Sequence, residues 1–388
     1  MRIISAQEQT VSLNSDIKNA KISFNEMTAS AVVVEIETYR GRFKGLGFSS
    51  YGRYGHGGIL RERFLPRLRN ITNIDTDATS VQIISNIWNK LMADEKEGGH
   101  GERSGAVGVV ETALWDALAK SEELPLWALL ERDAGCVDAK TFSSGQTAVY
   151  ASGGHYKSNN PSIKELATEI KQNMDMGYGW SKIKIGGVTP AKDMARIESA
   201  IKAAGDPGLI AVDANCAYHS NSKKSLLNDI DQLGLRWIEE PVNPLDYQAL
   251  SDCAGFMSTP IATGENIFSR IDTVNLLHYG GLRANTDRLQ MDIVLSYGLT
   301  EYIRMIEDIE AFGWSRQSLI PHAGHQVALH AAAGLGLGGH EVASGSSGPF
   351  SGVSNDTKVE GGLAILGSLP GIGIENKPEL YKFFDGIL

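Results

Sequence analysis

From residue 140 onward this 388-residue chain alternates short apolar runs with amphipathic helical stretches, and few folds satisfy that rhythm. The runs are QTAVYASGG, KIKIGG, LIAVDAN, RWIEEP, PIATGEN, RLQMDI, LIPHAG and HEVASG. From the second onward they hold Lys182, Leu209, Trp237, Ile261, Leu289, Ile320 and Glu341, roughly 20 to 30 residues apart, as repeated strand–helix units require. Eight strand candidates favour a closed barrel over an open sheet. No GxGxxG follows an early strand, which disfavours a doubly wound nucleotide fold. Before residue 140 the pattern differs. ISAQEQTVSL and ASAVVVEIET show β-branched alternation, and VQIISNIWNKLMA and AVGVVETALWDALAK place apolar residues at helical spacing. Strands followed by helices form an α+β unit. We therefore expect an α+β domain over 1–125 and a barrel over 140–355, with a Gly- and Pro-punctuated tail, 356–388, folding back onto the first domain.

Three of the runs end in an acidic residue at an even interval. Asp213, Glu239 and Glu265 are each 26 residues apart. On three consecutive barrel strands they converge on one face, where carboxylates repel unless a hard divalent cation lies among them, and oxygen donors suit Mg²⁺. Glu240 is an alternative to Glu239. Strand alternation lets only one of the two face inward, and the even interval favours Glu239. Asn215, Glu240 and Asn266 lie close enough to support the ligands.

Catalytic groups of parallel barrels sit at the C-terminal strand ends. Lys182 and Lys184 stand two apart in SKIKIGG, so both project to one side with Ile183 facing the helix layer. Two ammonium groups facing each other in a confined site depress each other's pKa, and a Lys tuned in that way serves as a base. His322 ends the seventh run, and Asp292, ending the sixth, is placed to hold it as a charged acid. Glu341, in the eighth run, is a candidate for binding a substrate hydroxyl.

Composition excludes other classes. The net charge is −10 with no Lys/Arg run, which argues against nucleic acid and anionic membranes as partners. No stretch reaches the ~20 apolar residues of a membrane span, and MRIISAQEQT lacks the apolar centre of a signal peptide, so a cytoplasmic location is expected. Cys136, Cys216 and Cys253 show no CxxC spacing and read as buried free thiols.

The set Lys-x-Lys, Asp213, Glu239, Glu265, Asp292 and His322 resembles the mandelate racemase subgroup of the enolase superfamily, in order and spacing, over nearly the whole chain. That resemblance implies a (β/α)7β modified TIM barrel under an α+β capping domain. It also implies Mg²⁺ on the three carboxylates and abstraction of a proton α to a carboxylate by a Lys or His base. SDIKNAKISF, GFSSYGRYGHGGILRERF, DEKEGGHGERSGAVG and RLQMDIVLSYGLTEY are similar to the D-tartrate dehydratase family. By that likeness Asn19, Lys96, Lys182, Lys184 and His322 contact the substrate. The chain departs at Tyr51, where that family has Asn before GRYG, and at Cys216, where it has Gly. A phenol at 51 alters the volume of the pocket and removes an amide contact. The implied reaction is Mg-dependent dehydration of a small hydroxy diacid or acid sugar, D-tartrate to oxaloacetate in the first instance. Racemisation or epimerisation of a 2-hydroxy acid is the alternative, and a non-catalytic metal-binding scaffold a third. Barrels capped in this way often assemble, so a homo-oligomer is expected.

Overall fold

The computed structural model describes residues 1–388 except 73, 136–141, 158–161, 219–223 and 344, so Cys136 lies outside the described residues. Strands β1 (Arg2–Ser12), β3 (Thr28–Thr38) and β4 (Gly41–Phe48) form an antiparallel sheet in the order β1-β3-β4. Between them, β2 (Ile17–Lys18) reaches away to pair with β6 (Tyr156–Lys157), which follows the first long strand of the other half, β5 (Gln146–Gly153). The two longest helices of this half follow the sheet. Ser80–Leu91 starts with a capping box in which Thr79 and Gln82 each accept the other's backbone N–H. Arg103–Ser121 is buried on nearly every side, because the sheet packs on one flank and the other half on the opposite flank. Glycine makes that double contact possible. A Cβ on Gly45 would lie 1.9 Å from the Ala113 carbonyl, and one on Gly108 1.8 Å from the Val294 carbonyl.

The second half is the expected barrel. β5, β7 (Ser181–Lys184), β8 (Ile210–Asp213), β9 (Ile238–Glu239), β10 (Ile261–Thr263) and β11 (Arg288–Leu289) pair in parallel in that order, and β12 (His340–Ala343) returns to β5. The seventh stave is a single bridge from Leu289 to Leu319, reinforced by Ile320 N–H donating to the Leu289 carbonyl at 2.9 Å. Tyr150, Trp180, Ala211, Trp237, Ala262 and Ile320 form a buried cluster contributed by successive staves.

The tail divides. β13 (Lys358–Glu360) and β14 (Leu363–Ile365) form a hairpin, and β14 lies antiparallel on β5 of the barrel. Only later residues reach the N-terminal half, where Phe383 and Phe384 pack on Phe48 with ring centroids at 5.7 and 6.2 Å. Asp116 joins the two, accepting from Leu46 N–H and Ile372 N–H at 2.8 Å each. Among the described residues no helix is long and apolar enough to cross a membrane.

Glu111 ties the long helix to the barrel by accepting from Thr300 N–H at 2.9 Å, at the start of helix Leu299–Ala311. Burial pushes its carboxyl up to about 7 against the hydrogen bonds from Thr300 and Leu299. A carboxyl raised in the folded state favours the fold fully below its unfolded pKa and loses that contribution as pH rises through the folded value. Stability therefore falls between about pH 4.5 and 7, by roughly 3 kcal/mol for this group. Urea titrations at pH 5 and pH 7.5 will show this loss in the parent chain and not in Glu111→Gln.

Candidate active site

The C-terminal ends of the barrel staves meet under two loops of the N-terminal half, around residues 19–24 and 50–55. They enclose a small cavity of about 40 Å³ whose lining includes Asn19, Phe24, Tyr51, Arg53, Ser152, His155, Lys184, Asn215, Glu265, His322 and Glu341. Beneath it, ligand oxygens of Asp213, Glu239 and Glu265 all lie within 4.8 Å of one another. Their common geometry follows from register, since Asp213 pairs with Glu239 across β8 and β9, and Glu265 follows β10 by two residues. Three hard oxygen donors this close fit a small divalent cation and suit neither a soft metal nor an apolar cofactor. Glu240 is not in this set. Its backbone turns to φ +40°, and its carboxylate accepts from Asn266 Nδ2 at 2.7 Å and Cys216 Sγ at 3.2 Å.

Both lysines face inward. Lys182 is 1% exposed, pairs with Glu239 and lies 3.1 Å from Glu341, while Lys184 pairs with Asp213. The expected depression by the neighbouring cation does act on Lys184, but the carboxylates outweigh it. Burial does lower Lys182, but Glu239 and Glu341 outweigh it and hold the ammonium well above its ordinary value; Asp213 does the same for Lys184. The two-cation reasoning omitted the carboxylates that β8, β9 and β12 aim at the same place.

Across the cavity, His322 Nδ1 is 3.0 Å from Asp292 and Nε2 is 3.3 Å from Glu265. Burial opposes its protonation, yet Glu265 and Asp292 together lift it to about 9, so the ring is imidazolium at neutral pH. Asp292 is held below the usual carboxylate range; burial raises it, but the His322 contact prevails, and Ser50 also donates to it. Asn19 lines the cavity with its carbonyl oxygen committed to Lys21 and Ile22 N–H at 2.8 and 2.7 Å, leaving its amide nitrogen as the group to meet a ligand. Tyr51 stacks on Phe24 at 4.7 Å and meets Phe350 edge-on at 4.7 Å, forming an aromatic wall.

Lys96 requires correction. It is exposed and does not line the cavity. Arg103 holds the backbone of its loop by donating to the Lys96 and Gly98 carbonyls at 2.8 and 2.9 Å, and Glu95 is anchored to Arg63, Arg67 and Arg103. Other residues of the site escaped the sequence reading. Gln290 donates to Glu239 at 2.8 Å and shares a face with Asp292, two positions on, which was a readable signal. His155, two residues past the end of β5, was equally readable; Ser50 and Arg53 gave no signal, because only the closure of one half on the other brings them in.

Comparison with known proteins agrees with this geometry. Residues 165–380 match the family described as enolase C-terminal domain-like. L-Talarate/galactarate dehydratase of Salmonella typhimurium is 27% identical over 312 residues, 80% of this chain and 72% of that protein. Arabinonate dehydratase of Saccharolobus solfataricus is 26% identical over 321 residues, 79% and 77% of the two chains. Among solved structures, L-talarate dehydratase from Polaromonas sp. JS666, complexed with Mg and L-glucarate, superposes with a TM-score of 0.76 at 26% identity, covering 96% of this chain and 94% of that one. With that match spanning more than half its length, this chain belongs to the enolase C-terminal domain-like family, in its mandelate racemase/muconate lactonizing subgroup.

Proposed function

We propose that the protein is a Mg²⁺-dependent dehydratase of a short hydroxy diacid, with D-tartrate as the first substrate to test and oxaloacetate as its product. One observation carries the reading: Lys184, Glu265 and His322 line the same closed cavity, the amine on one flank and the imidazolium on the other. The relatives' activity on acid sugars supports the class, and the likeness of the stretches around residues 19, 51 and 96 to the D-tartrate dehydratase family supports the shorter acid.

In this reading residues 1–125, with the part of 356–388 that follows the β13–β14 hairpin, close over the catalytic barrel of 140–355. Asp213, Glu239 and Glu265 would hold the magnesium ion, which when bound would supply a Lewis acid for the substrate carboxylate and engage the Asp213 carboxylate that otherwise pairs with Lys184. With Asp213 so engaged, the Lys184 ammonium, which burial and the Lys182 charge both lower, gives its proton to solvent and its neutral Nζ takes the α-proton, while Lys182, fixed between Glu239 and Glu341, keeps its charge toward the enediolate. The β-carbon–oxygen bond then breaks, and the His322 Nε2 proton goes to the departing hydroxyl, which leaves as water. The enol becomes the keto acid. The cap excludes water while the enediolate exists.

The same two flanks also serve 1,1-proton transfer, so product analysis decides. A stereochemically complete set of hydroxy diacids and acid sugars, incubated with Mg²⁺, will yield keto acid from D-tartrate. Inverted substrate without keto acid would establish racemisation instead, and silence across the whole set would end the dehydratase reading.

A further inference from the structure

We propose that Arg53 receives the carboxylate at the far end of the substrate, which makes the cap selective for diacids. This rests on the reading of the cavity as a substrate site and goes beyond it by assigning the group that reads the distal end. The cations that face the centre are otherwise committed. Lys182 and Lys184 are paired with Glu239, Glu341 and Asp213, and His322 with Asp292 and Glu265. Arg53 alone of the lining cations makes its hydrogen bonds to neutral acceptors, the Gly52 carbonyl at 3.0 Å and the Asn266 amide oxygen. Of the five N–H donors a guanidinium carries, two are thus engaged. Glu102, whose carboxyl the Arg53 charge helps to lower through space, makes its hydrogen bond to His56 at 3.1 Å and none to Arg53.

The guanidinium is also held in place from the barrel. Asn266 takes Arg53 on its oxygen and donates through its nitrogen to Glu240, which in turn accepts from Cys216. A loop of the cap is thereby pinned to the ends of three staves, with its charge at the cavity. An acid gripped on the barrel side by Lys184 and the carboxylate-bound cation has its other end toward Arg53, Tyr51 and Asn19. A planar fork at that point suits a second carboxylate, which it can bind through two parallel hydrogen bonds. Lys96, the other cation expected at the substrate from the cap, is not among the residues lining the cavity.

The test is equilibrium binding by calorimetry to the full chain with Mg²⁺, using succinate and butyrate, which have four carbons and no hydroxyl to lose. The parent chain will bind succinate more tightly by about 30-fold, as a charge-assisted pair predicts. Arg53→Met will erase that preference while leaving butyrate affinity unchanged, and Arg53→Lys will restore part of it. Asn266→Ala, which keeps the guanidinium but frees it, will weaken succinate several-fold and stands as the decisive variant should Arg53→Met fail to fold. Retained preference in the variants, or equal weakening of both acids, would overturn the assignment. Failure of the reaction itself reads out separately: a chain that prefers succinate through Arg53 yet eliminates water from no hydroxy acid would refute the dehydratase reading and leave Arg53 standing.

Discussion

Lys184→Met will lose both halves of the reaction, with kcat for keto acid formation falling by about 10⁴-fold and exchange of the α-proton with D₂O falling with it. His322→Asn will lose elimination by a comparable factor and keep exchange within about tenfold, because only the departure of the hydroxyl needs the imidazolium. The difference follows from where the two groups stand. Lys184 Nζ is at the Asp213 side of the cavity, whereas His322 is held on the other flank by Asp292 and Glu265. Asp292→Asn will fall between the parent and His322→Asn, since it removes the partner that orients the ring and leaves Glu265 3.3 Å from Nε2. Exchange is followed by loss of the α-proton NMR signal and elimination by keto acid release, in one sample. Exchange surviving in Lys184→Met and vanishing in His322→Asn would reverse the assigned roles.

The parts of this molecule that repeat were the parts the sequence displayed. Each strand–helix unit buries one apolar run against its neighbours, so the run is written into the chain at every turn of the barrel, even for the seventh stave, where Leu319 makes a single bridge. Asp213, Glu239 and Glu265 inherit that regularity, and register alone brings their oxygens within 4.8 Å. What depends on one half closing over the other carried no comparable signal. Arg53 sits in a glycine-rich stretch that reads simply as a loop, and its partner Asn266 is 213 residues away. Lys96 depends on such closure too: a matching string placed it at the substrate, and here its loop is held by bonds from Arg103 with Lys96 exposed and away from the cavity lining. The counter-charges of the lysine pair went unread for a related reason. Two cations adjacent on one strand are visible in sequence, while the carboxylates opposing them come from strands 29, 57 and 159 residues further on.

Mg²⁺ added at about 100 times its Kd will stabilise the parent chain by about 2.7 kcal/mol, and Glu239→Gln will abolish that gain while Glu240→Gln will keep it. The two residues are adjacent, so the contrast isolates geometry from composition. Glu239 faces Asp213 and Glu265 across the strand ends, whereas Glu240 is turned aside at φ +40° into hydrogen bonds with Asn266 and Cys216. Glutamine at 240 can still accept from Asn266, so the loop holding Glu265 stays in place. Glutamine at 239 has a second effect without any metal, because it leaves the buried Lys182 short of its nearest counter-charge. Breaking a buried pair usually costs about 3–5 kcal/mol. Here Glu341 at 3.1 Å and Asp213 at 3.9 Å remain on Lys182, which keeps the loss near the low end of that range. Urea denaturation of the three proteins with EDTA and with Mg²⁺ separates the two effects. Equal Mg²⁺ stabilisation of Glu239→Gln and the parent would remove Glu239 from the ligand set, and loss of it in Glu240→Gln alone would put Glu240 in its place.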